Sequence, residues 1–356
     1  MDKQKTINDI AFSLLYRNRT AKGHQVLAHY GSAQEAFKHI DEPSVEACFR
    51  QAEKEWQFAS IHNIQCSAPD DDTYPLRLKQ CPDAPLMLYT KGNVQPNTGK
   101  FVSVVGTRAC TERGKDLTRR FVLDLARQVP DITIVSGLAY GIDIAAHRAA
   151  LEANIPTLIV VGHGMDRIYP AVHRQEAIRS LDKGGILTEY TSGTDPDRYN
   201  FVARDRIIAG LADAVVVVES KDRGGSLITA QMALDYSRNL FAFPGRVQDE
   251  TSSGCNLLIR DQKAALITSA NDLVRAMMWQ ANTEPVQTEI ATLLEGMTDE
   301  ESQIINLLQQ NEDGVHVNNI LAEMSLNYSQ LISTLTMMEM KGWVKSMPGG
   351  VYRLCS

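Results

Sequence analysis

From residue 101 onward, the hydrophobic positions fall into short, nearly continuous apolar runs rich in Val and Ile, separated by longer stretches with apolar residues at helical spacing. Such runs are typical of strands buried on both faces of a parallel sheet. Six strands are predicted, at Phe101–Val105, Ile132–Ser136, Thr157–Val161, Ile186–Glu189, Ala214–Glu219 and Leu240–Phe243. Five helices are predicted, near 112–128, 141–153, 171–181, 203–211 and 226–238. Strands that alternate with helices in this way predict a doubly wound, parallel, Rossmann-like α/β sheet across residues 100–280.

Residues 1–68 are predicted to form an N-terminal helical domain, because apolar residues recur at helical spacing between 7 and 62. The segment 14–37 weakly resembles SAM or helix-hairpin-helix modules, in which a glycine-containing turn offers N–H groups to a DNA phosphate. The turn here, 17–20, lacks paired glycines, which favours a packing or interaction role over DNA contact. Residues 69–99 are rich in Pro, Asp and Gly and predict an irregular lead-in with one strand at Leu86–Thr90.

The C-terminal part is predicted to be an acidic linker at 281–297 followed by a small domain at 298–356. Thr298 and Glu301 have the spacing of a capping box. Two further helices near 317–324 and 328–341, followed by a hairpin, predict a winged helix. The domain carries 3 basic and 7 acidic side chains. Because duplex binding depends on phosphate neutralisation, this composition favours a protein-interaction role over recognition of duplex DNA.

Composition and charge narrow the class of protein. The chain has 356 residues, 44% hydrophobic and 22% charged, which is normal for a folded soluble protein. No apolar run is long enough to cross a membrane, and six scattered cysteines without metal-ligand spacing indicate free thiols in a reducing cytoplasm and no metal site. The net charge is −7, but residues 100–280 carry 22 basic and 21 acidic side chains, and 17 of the basic ones are arginines, which bind phosphates and stack on bases.

Four glycine turns follow predicted strands. In an open α/β sheet, ligands bind beyond the carboxyl ends of the strands. Glycines let the backbone approach a ligand closely, and helix N-termini direct N–H groups at anions. Several such turns at one edge, together with an arginine, predict a phosphate pocket. The turns and their neighbours are Gly106, Thr107 and Arg108; Ser136 and Gly137; Gly162; and Gly224, Gly225 and Ser226.

The usual nucleotide-cofactor fingerprints are missing. A dinucleotide site needs G-x-G-x-x-G after the first strand, where this chain has V-G-T-R, and the P-loop motif is also missing. We therefore expect no cofactor.

The segment 197–206, Asp-Arg-Tyr-Asn-Phe-Val-Ala-Arg-Asp-Arg, interleaves arginines with aromatic residues. This is what single-stranded nucleic acid requires, because guanidinium groups contact phosphates while aromatic rings stack on bases. An equally weighted alternative is that Phe201 belongs to the core and that the arginines pair with acids such as Asp205 and Asp213.

No group of residues specifies a catalytic reaction. Asp143 and His147 are four residues apart on one predicted helix, but a packing role is favoured for both. Ser136 and Ser226 lack an evident His–Asp set, and Glu219 ends a buried strand without a neighbouring acid. We predict no catalytic residues.

Several motifs, in order, resemble those of the DprA/Smf DNA-processing family. They are V-G-T-R at 105–108, S-G-L-A-Y-G-I-D at 136–143, G-H-G-M-D-R-I-Y-P at 162–170, F-V-A-R-D-R-I-I-A-G-L at 201–211, G-G-S-L-I-T-A at 224–230, F-P-G-R at 243–246 and G-C-N-L-L-I at 254–259. The resemblance spans about 100–275, and the flanking helical and winged-helix modules fit the family layout.

The resemblance implies a non-catalytic protein that binds single-stranded DNA, forms a homodimer, protects incoming DNA and loads the RecA recombinase in natural transformation. By motif, Arg108 is the phosphate-pocket arginine, and Phe201, Arg204 and Arg206 match the family's F-P-x-R-N-R segment. The glycine turns with Ser226 would supply backbone donors. Asp205 replaces the common Asn, which places a carboxylate beside the expected phosphate.

An enzyme is the alternative. The same cleft resembles that of Rossmann-like nucleotide phosphoribohydrolases, which also carry glycine-glycine phosphate turns. Glu219, Asp143 or Glu189 would then be the acid or nucleophile.

Overall fold

The structure, a computed structural model, describes residues 2–279, 298–309, 311, 314–324, 326–347 and 349–354. The chain divides into two compact units, Met1–Asn282 and Thr283–Ser356. The predicted acidic linker at 281–297 lies outside the described residues, and the predicted boundaries at 68 and 99 stay predictions. In the described ranges no helix is both long and apolar enough to span a membrane.

The first unit begins with four helices. They are α1 (Lys3–Leu15), α2 (Thr20–Tyr30), α3 (Ala33–Phe37) and α4 (Val45–Ile61). The Asp2 side chain caps α1 by accepting from the Gln4 N–H, and α2 ends at Gly31, whose φ of 79° suits glycine. Ile7, Ile10 and Ala11 of α1 are buried against α4 and against the start of the following sheet.

The rest of this unit alternates strands and helices. In chain order they are β1 (Gln65–Ser67), α5 (Leu76–Lys79), β2 (Leu88–Gly92), β3 (Lys100–Val105), α6 (Glu112–Gln128), β4 (Ile132–Ser136), α7 (Ile142–Glu152), β5 (Thr157–Val160), a 3₁₀ turn (Ala171–His173), α8 (Arg174–Ser180), β6 (Gly185–Thr188), α9 (Arg198–Leu211), β7 (Ala214–Val217), α10 (Ser226–Asp235), β8 (Asn239–Ala242), a 3₁₀ turn (Glu250–Ser252), α11 (Ser253–Arg260), β9 (Ala265–Leu266) and α12 (Ala270–Ala276). The six predicted strands and five predicted helices are all present, with ends shifted by a few residues.

Among the described residues, nine strands form one sheet in the order β1-β2-β6-β5-β4-β3-β7-β8-β9. The seven strands β6, β5, β4, β3, β7, β8 and β9, which are neighbours in this order, are all parallel. Strand β2 pairs with β6 in the antiparallel direction, and β1 pairs with β2 in the same way. The strand predicted at Leu86–Thr90 is β2, and it is part of this sheet rather than an isolated element. The doubly wound, mostly parallel fold is confirmed.

Both faces of the sheet are covered, as the continuous apolar strands require. Along β3, Phe101 and Val105 are buried in the cluster that contains α9 and α10. Val102 and Val104 are buried in the cluster that contains α6 and α7. Alternate residues of one strand therefore anchor helices on opposite faces, and this fixes the loops after the parallel strands at one edge.

The second unit is the predicted winged helix. It contains α13 (Asp299–Gln309), β10 (Val315–His316), α14 (Val317–Glu323), α15 (Tyr328–Met340), β11 (Val344–Met347) and β12 (Val351–Leu354). The Thr298–Glu301 capping box is formed, because the Thr298 Oγ1 accepts from the Glu301 N–H at 3.2 Å and the Glu301 carboxylate accepts from the Thr298 N–H at 3.0 Å.

Candidate nucleic-acid interface

The loops after β3, β4 and β7 surround a cavity of about 340 Å³ at the carboxyl edge of the sheet, which we call the inner pocket. Its lining includes Gly106, Thr107, Arg108, Asp143, Arg204, Asp205, Gly224, Gly225, Ser226 and Thr229. Helix α10 begins at this cavity, where the N-terminus of a helix favours an anion. The Leu227 and Ile228 N–H groups donate to the Gly224 and Gly225 carbonyls, so Ser226 at the start of the helix is the residue whose N–H could bind the anion. The structure thus brings together most of the residues predicted for a phosphate pocket.

A wider groove of about 820 Å³ adjoins the inner pocket, and we call it the outer groove. Its ionic lining comprises four arginines and two aspartates, namely Arg108, Arg198, Arg204, Arg223, Asp205 and Asp222. Three of the arginines are exposed, and in the described part of the chain no carboxylate lies within 4.0 Å of Arg108, Arg198 or Arg223. Unpaired guanidinium groups in a concave surface attract a polyanion.

Arg108 lies where these cavities meet. It lines the inner pocket, the outer groove and a third cavity of about 80 Å³, the aromatic pocket, which contains Tyr140, Tyr169 and Phe201. The Arg108 guanidinium carbon is 5.8 Å from the Phe201 ring centroid, and the Phe201 ring stacks on Tyr169 at 5.8 Å with an interplanar angle of 20°. This is a cation and two stacked rings on one surface, a suitable platform for a nucleobase.

Gly137 gives Arg204 and Asp143 the space that they occupy. A Cβ at position 137 would overlap the Arg204 guanidinium and would lie 2.5 Å from Asp143 Oδ2. Gly141, with a φ of 80°, starts α7 against the Thr107 and Arg108 carbonyls, where a Cβ would also overlap. These two glycines therefore hold the loops after β3 and β4 in close contact.

Arg204 forms the buried wall of the pocket rather than an exposed contact. It is 5% exposed, donates from Nη1 to the Val160 carbonyl, and its Nε lies 3.2 Å from Asp205 Oδ1. Burial raises the pKa of Asp143, and the positive charges of Arg204 and Arg108 partly oppose that rise. The sequence left open whether the arginines of this segment contact nucleic acid or pair with nearby acids. Arg204 does pair with Asp205, but Asp213 pairs with Arg77, at 2.6 Å, and not with an arginine of the segment.

Asp205, the departure from the family pattern, carries an unusual carboxyl group. Burial raises the pKa of Asp205 to about 6; Arg204 and Arg108 oppose the rise and Asp143 adds to it. This carboxyl is therefore still mostly ionised at neutral pH, and it becomes neutral as the pH falls below about 6, which removes its repulsion of a phosphate.

Two predicted site residues lie elsewhere. Ser136 is fully buried, and its Oγ donates to the Val104 carbonyl at 2.6 Å. It also lies close enough to the Asp143 carboxyl to lower the pKa of that group, so Ser136 lies beneath the inner pocket and does not line it. Arg206 lies on the other side of α9 and pairs with Glu189. Residues two apart on a helix are separated by about 200° around its axis, so Arg204 and Arg206 cannot share one pocket.

The acids considered for catalysis have structural partners. Glu219 accepts from the Thr111 N–H at 2.9 Å and from the Thr111 Oγ1 at 2.6 Å, and so supports the N-terminus of α6. His147 is buried, and its ring nitrogens hydrogen-bond with Thr157 Oγ1 at 2.7 Å and with the Gly137 carbonyl. Both contacts fit packing roles.

One acidic cluster in the described ranges has the spacing of a metal site, namely Asp9, Asp70 and Asp71. The Lys5 ammonium already lies within 2.9 to 3.1 Å of all three carboxylates. The Lys5 ammonium therefore partly offsets the charge of these three carboxylates in place of a metal ion.

Sequence reasoning missed Tyr140 and Tyr169 as site residues. Both are about half exposed, and both follow glycine turns within motifs that were recognised, after β4 and β5. An aromatic residue just beyond a glycine turn at this sheet edge was the available signal.

Comparison with known proteins identifies the family. The family model described as DNA recombination-mediator protein A matches residues 65–278, and the DprA winged helix domain matches residues 285–350. The DNA processing protein DprA of Streptococcus pneumoniae is 41% identical over 57% of this chain and 71% of its own length. Protein Smf of Escherichia coli is 34% identical over 80% of this chain and 76% of its own length.

Two of the similar solved structures are DNA processing proteins. DNA processing protein A from Streptococcus pneumoniae has a TM-score of 0.60 and 34% identity, covering 77% of this chain and 94% of that one. DNA processing protein A from Helicobacter pylori, described for its single-stranded DNA binding mode, has a TM-score of 0.54 and 29% identity, covering 60% of this chain and 96% of that one. From its ordered motifs, its sheet topology and the matched family model, the chain belongs to the DNA recombination-mediator protein A family, the DprA/Smf proteins.

Proposed function

We propose that this protein binds single-stranded DNA without catalysing a reaction on it, with the phosphates in the inner pocket and outer groove and the bases on the aromatic pocket. The observation that carries the proposal is Arg108. It is exposed, has no carboxylate partner among the described residues, lies at the junction of all three cavities and is 5.8 Å from the Phe201 ring. Membership of a family with a single-stranded DNA-binding relative supports the same conclusion.

The binding site follows from the placement of the predicted residues. Gly106, Thr107 and Gly137 belong to turns that meet near Arg108, and Gly224, Gly225 and Ser226 open α10 on the opposite wall. The Thr107 and Gly224 N–H groups already donate to the Glu219 and Lys221 carbonyls. The remaining N–H groups, those of Gly106, Gly137, Gly225 and Ser226, would contact phosphate oxygens, and such contacts carry no sequence information. We therefore expect little base preference.

Fluorescence anisotropy with single-stranded and duplex oligonucleotides at two salt concentrations tests the proposal. We expect preference for the single strand and, with roughly three phosphates neutralised, a slope of log K against log salt near −2, from ~0.7 per phosphate. Arg108→Ala should weaken binding about tenfold or more, because a hydrogen bond to a charged group contributes ~1.5–3 kcal/mol.

The matched control is Arg127→Ala. Arg127 is an exposed arginine of α6 that pairs with Asp124 at 3.3 Å and does not line the three cavities. The Arg127→Ala substitution removes the same charge as Arg108→Ala. Equal binding by wild type and Arg108→Ala, or equal losses for the two variants, would reject the proposed site.

The absence of catalysis is part of the proposal, and the structural partners of Glu219 and Glu189 support it. Glu219 accepts from Thr111, and Glu189 pairs with Arg206. Incubation with nucleoside monophosphates should release no free base. Base release that Glu219→Gln abolishes would instead identify a phosphoribohydrolase.

The family resemblance supports three finer roles. We propose that the protein forms a homodimer, acts in the cytoplasm, and protects incoming DNA while loading RecA. The five cysteines in the described ranges are free thiols, which fits a reducing compartment. Light scattering should give a molar mass of twice that of the single chain, as a homodimer requires. Stimulation of RecA ATPase on DNA pre-coated with a single-strand-binding protein measures loading, and no stimulation would remove this role.

For the winged helix we propose a protein partner rather than DNA. Of its basic side chains, Lys341 pairs with Glu301 at 2.6 Å and lies 4.3 Å over the Trp343 ring. Deletion of 298–356 should leave DNA affinity unchanged. A loss of affinity on deletion would assign DNA contact to this unit.

A further inference from the structure

A separate cavity of about 340 Å³ lies between the N-terminal helices and the sheet, and we call it the turn cavity. One wall is the turn between α1 and α2, with Arg17, Asn18 and Thr20. The other wall includes Tyr199 and Arg206 of α9. This turn is the segment whose weak likeness to a DNA-binding hairpin was noted in the sequence, and the binding site proposed above does not use it.

Helix α9 connects the turn cavity to the outer groove. Residues 198, 201, 202, 204 and 205 line the outer groove, whereas residues 199, 200, 203 and 206 line the turn cavity. The start of α9 is therefore a ridge with a binding concavity on each side. Tyr199 is on this ridge and is 83% exposed, so its ring is accessible to a nucleobase from solvent.

The turn cavity offers both a charge and a stacking surface. The Arg17 guanidinium lies 5.1 Å from the Tyr190 ring, is exposed, and has no carboxylate within 4.0 Å in the described ranges. Arg206 is neutralised by Glu189, yet its Nη1 is buried and lacks a hydrogen-bond partner. Because Glu189 offsets the charge of Arg206, the net positive charge of the turn cavity comes from Arg17.

We propose that the turn cavity is a second nucleotide subsite for the same single strand, with a phosphate on Arg17 and a base stacked on Tyr199 as the strand crosses the start of α9. The inference rests on the proposed function, since the outer groove must hold the strand first. A polynucleotide is favoured over a free nucleotide because the ridge joins the two concavities and the tyrosine on it faces solvent.

A length series of oligothymidylates tests the subsite. For wild type, affinity should rise again once the strand is long enough to fill the outer groove and cross the ridge. Tyr199→Ala should lose that second rise, by about tenfold for one stacked base. Arg17→Ala should lower the salt slope for the long strand by about 0.7, one phosphate contact. Both side chains are exposed, so neither variant threatens folding.

Arg19→Ala is the matched control, because Arg19 lies in the same turn, carries the same charge, does not line the turn cavity and lies 3.6 Å from Glu42. Its affinity should equal that of wild type at every length. Equal losses for Arg17→Ala and Arg19→Ala would indicate general charge attraction and overturn the subsite.

Photocrosslinking locates the strand directly. A 20-mer with a single 5-iodouracil, moved along the strand, should crosslink to Tyr199 or Tyr190 at some positions and to Phe201 at others, with the crosslinked residue assigned by fragmentation of the peptide. Crosslinks confined to Phe201 and Tyr169 would overturn the subsite while leaving the proposed function intact. Failure of the proposed function has a different signature, since Arg108→Ala would then bind strands of every length normally.

Discussion

Asp205 Oδ1 lies 3.2 Å from Arg204 Nε, in the wall where the inner pocket and the outer groove meet. The pair places a negative charge beside the proposed phosphate site and holds the guanidinium that forms its buried wall. Since burial raises the pKa of Asp205 to about 6, the charge on this pair changes within the range of ordinary buffers. Affinity for DNA should therefore respond to pH at this position.

Asp205→Asn should increase affinity for single-stranded DNA at pH 7.5, because it removes a carboxylate near the phosphate and keeps an oxygen for Arg204. For wild type, affinity should rise as the pH falls from 7.5 toward 5.5, since the carboxyl is neutral below its pKa. The variant should lack this component, so the two affinities should converge at pH 5.5. A pH profile of anisotropy measures it, and a constant ratio between the two proteins at all pH values would contradict it.

Phe201→Ala should weaken binding by ~1–3 kcal/mol, the usual contribution of one base stacked on an aromatic ring. The ring stacks with Tyr169 and lies under Arg108, so its removal dismantles the platform. Val202→Ala is the control, because Val202 is the next residue and also lines the outer groove. Phe201→Trp should restore binding. Restoration by Phe201→Leu instead would assign the ring a packing role.

Much of this fold could be predicted because its strands and turns are indicated by short, continuous stretches of the sequence. Every residue of Ala214–Val217 is apolar, and so is every residue of Phe101–Val105 except Ser103, as expected of strands covered on both faces. Glycines after such strands then identify one sheet edge. Arg108 lies at this edge because it follows β3 by three residues, and its contact with a phosphate stays a prediction.

Such local patterns do not specify which way a side chain points in the folded protein. Ser136 ends β4 in a recognised motif, but its buried hydroxyl donates to the Val104 carbonyl and does not line the inner pocket. Arg206 is near Arg204 in sequence, yet the 100° rotation per residue of α9 sends it to Glu189. Tyr169 reaches Phe201 only through the folded loop after β5, a contact that no sequence spacing shows.

Gly137→Ala should lower both stability and DNA affinity, because its Cβ would overlap the Arg204 guanidinium and displace it. Overpacking of this kind typically costs ~1–3 kcal/mol. Gly225→Ala is the matched control for stability, since a Cβ there meets open space and its backbone has an ordinary φ of −60°. It does not serve as a control for affinity, because Gly225 lines the proposed phosphate site. Urea denaturation and anisotropy report the two effects. Equal stabilities for the two variants would show that Arg204 has room to shift.

His147 should make a pH-dependent contribution to the free energy of unfolding. Burial lowers the pKa of His147 to about 4 from an ordinary 6.5, so the unfolded chain takes up a proton that the folded protein does not. Its stabilising contribution is therefore complete above pH 6.5 and declines as the pH falls toward 4, by about 2 kcal/mol between pH 7.5 and 5. His147→Gln retains hydrogen-bonding groups for Thr157 and Gly137 and has no such titration. The stability gap between wild type and this variant should narrow by that amount at pH 5 in urea denaturation, whereas a gap independent of pH would mean that the ring is protonated equally in both states.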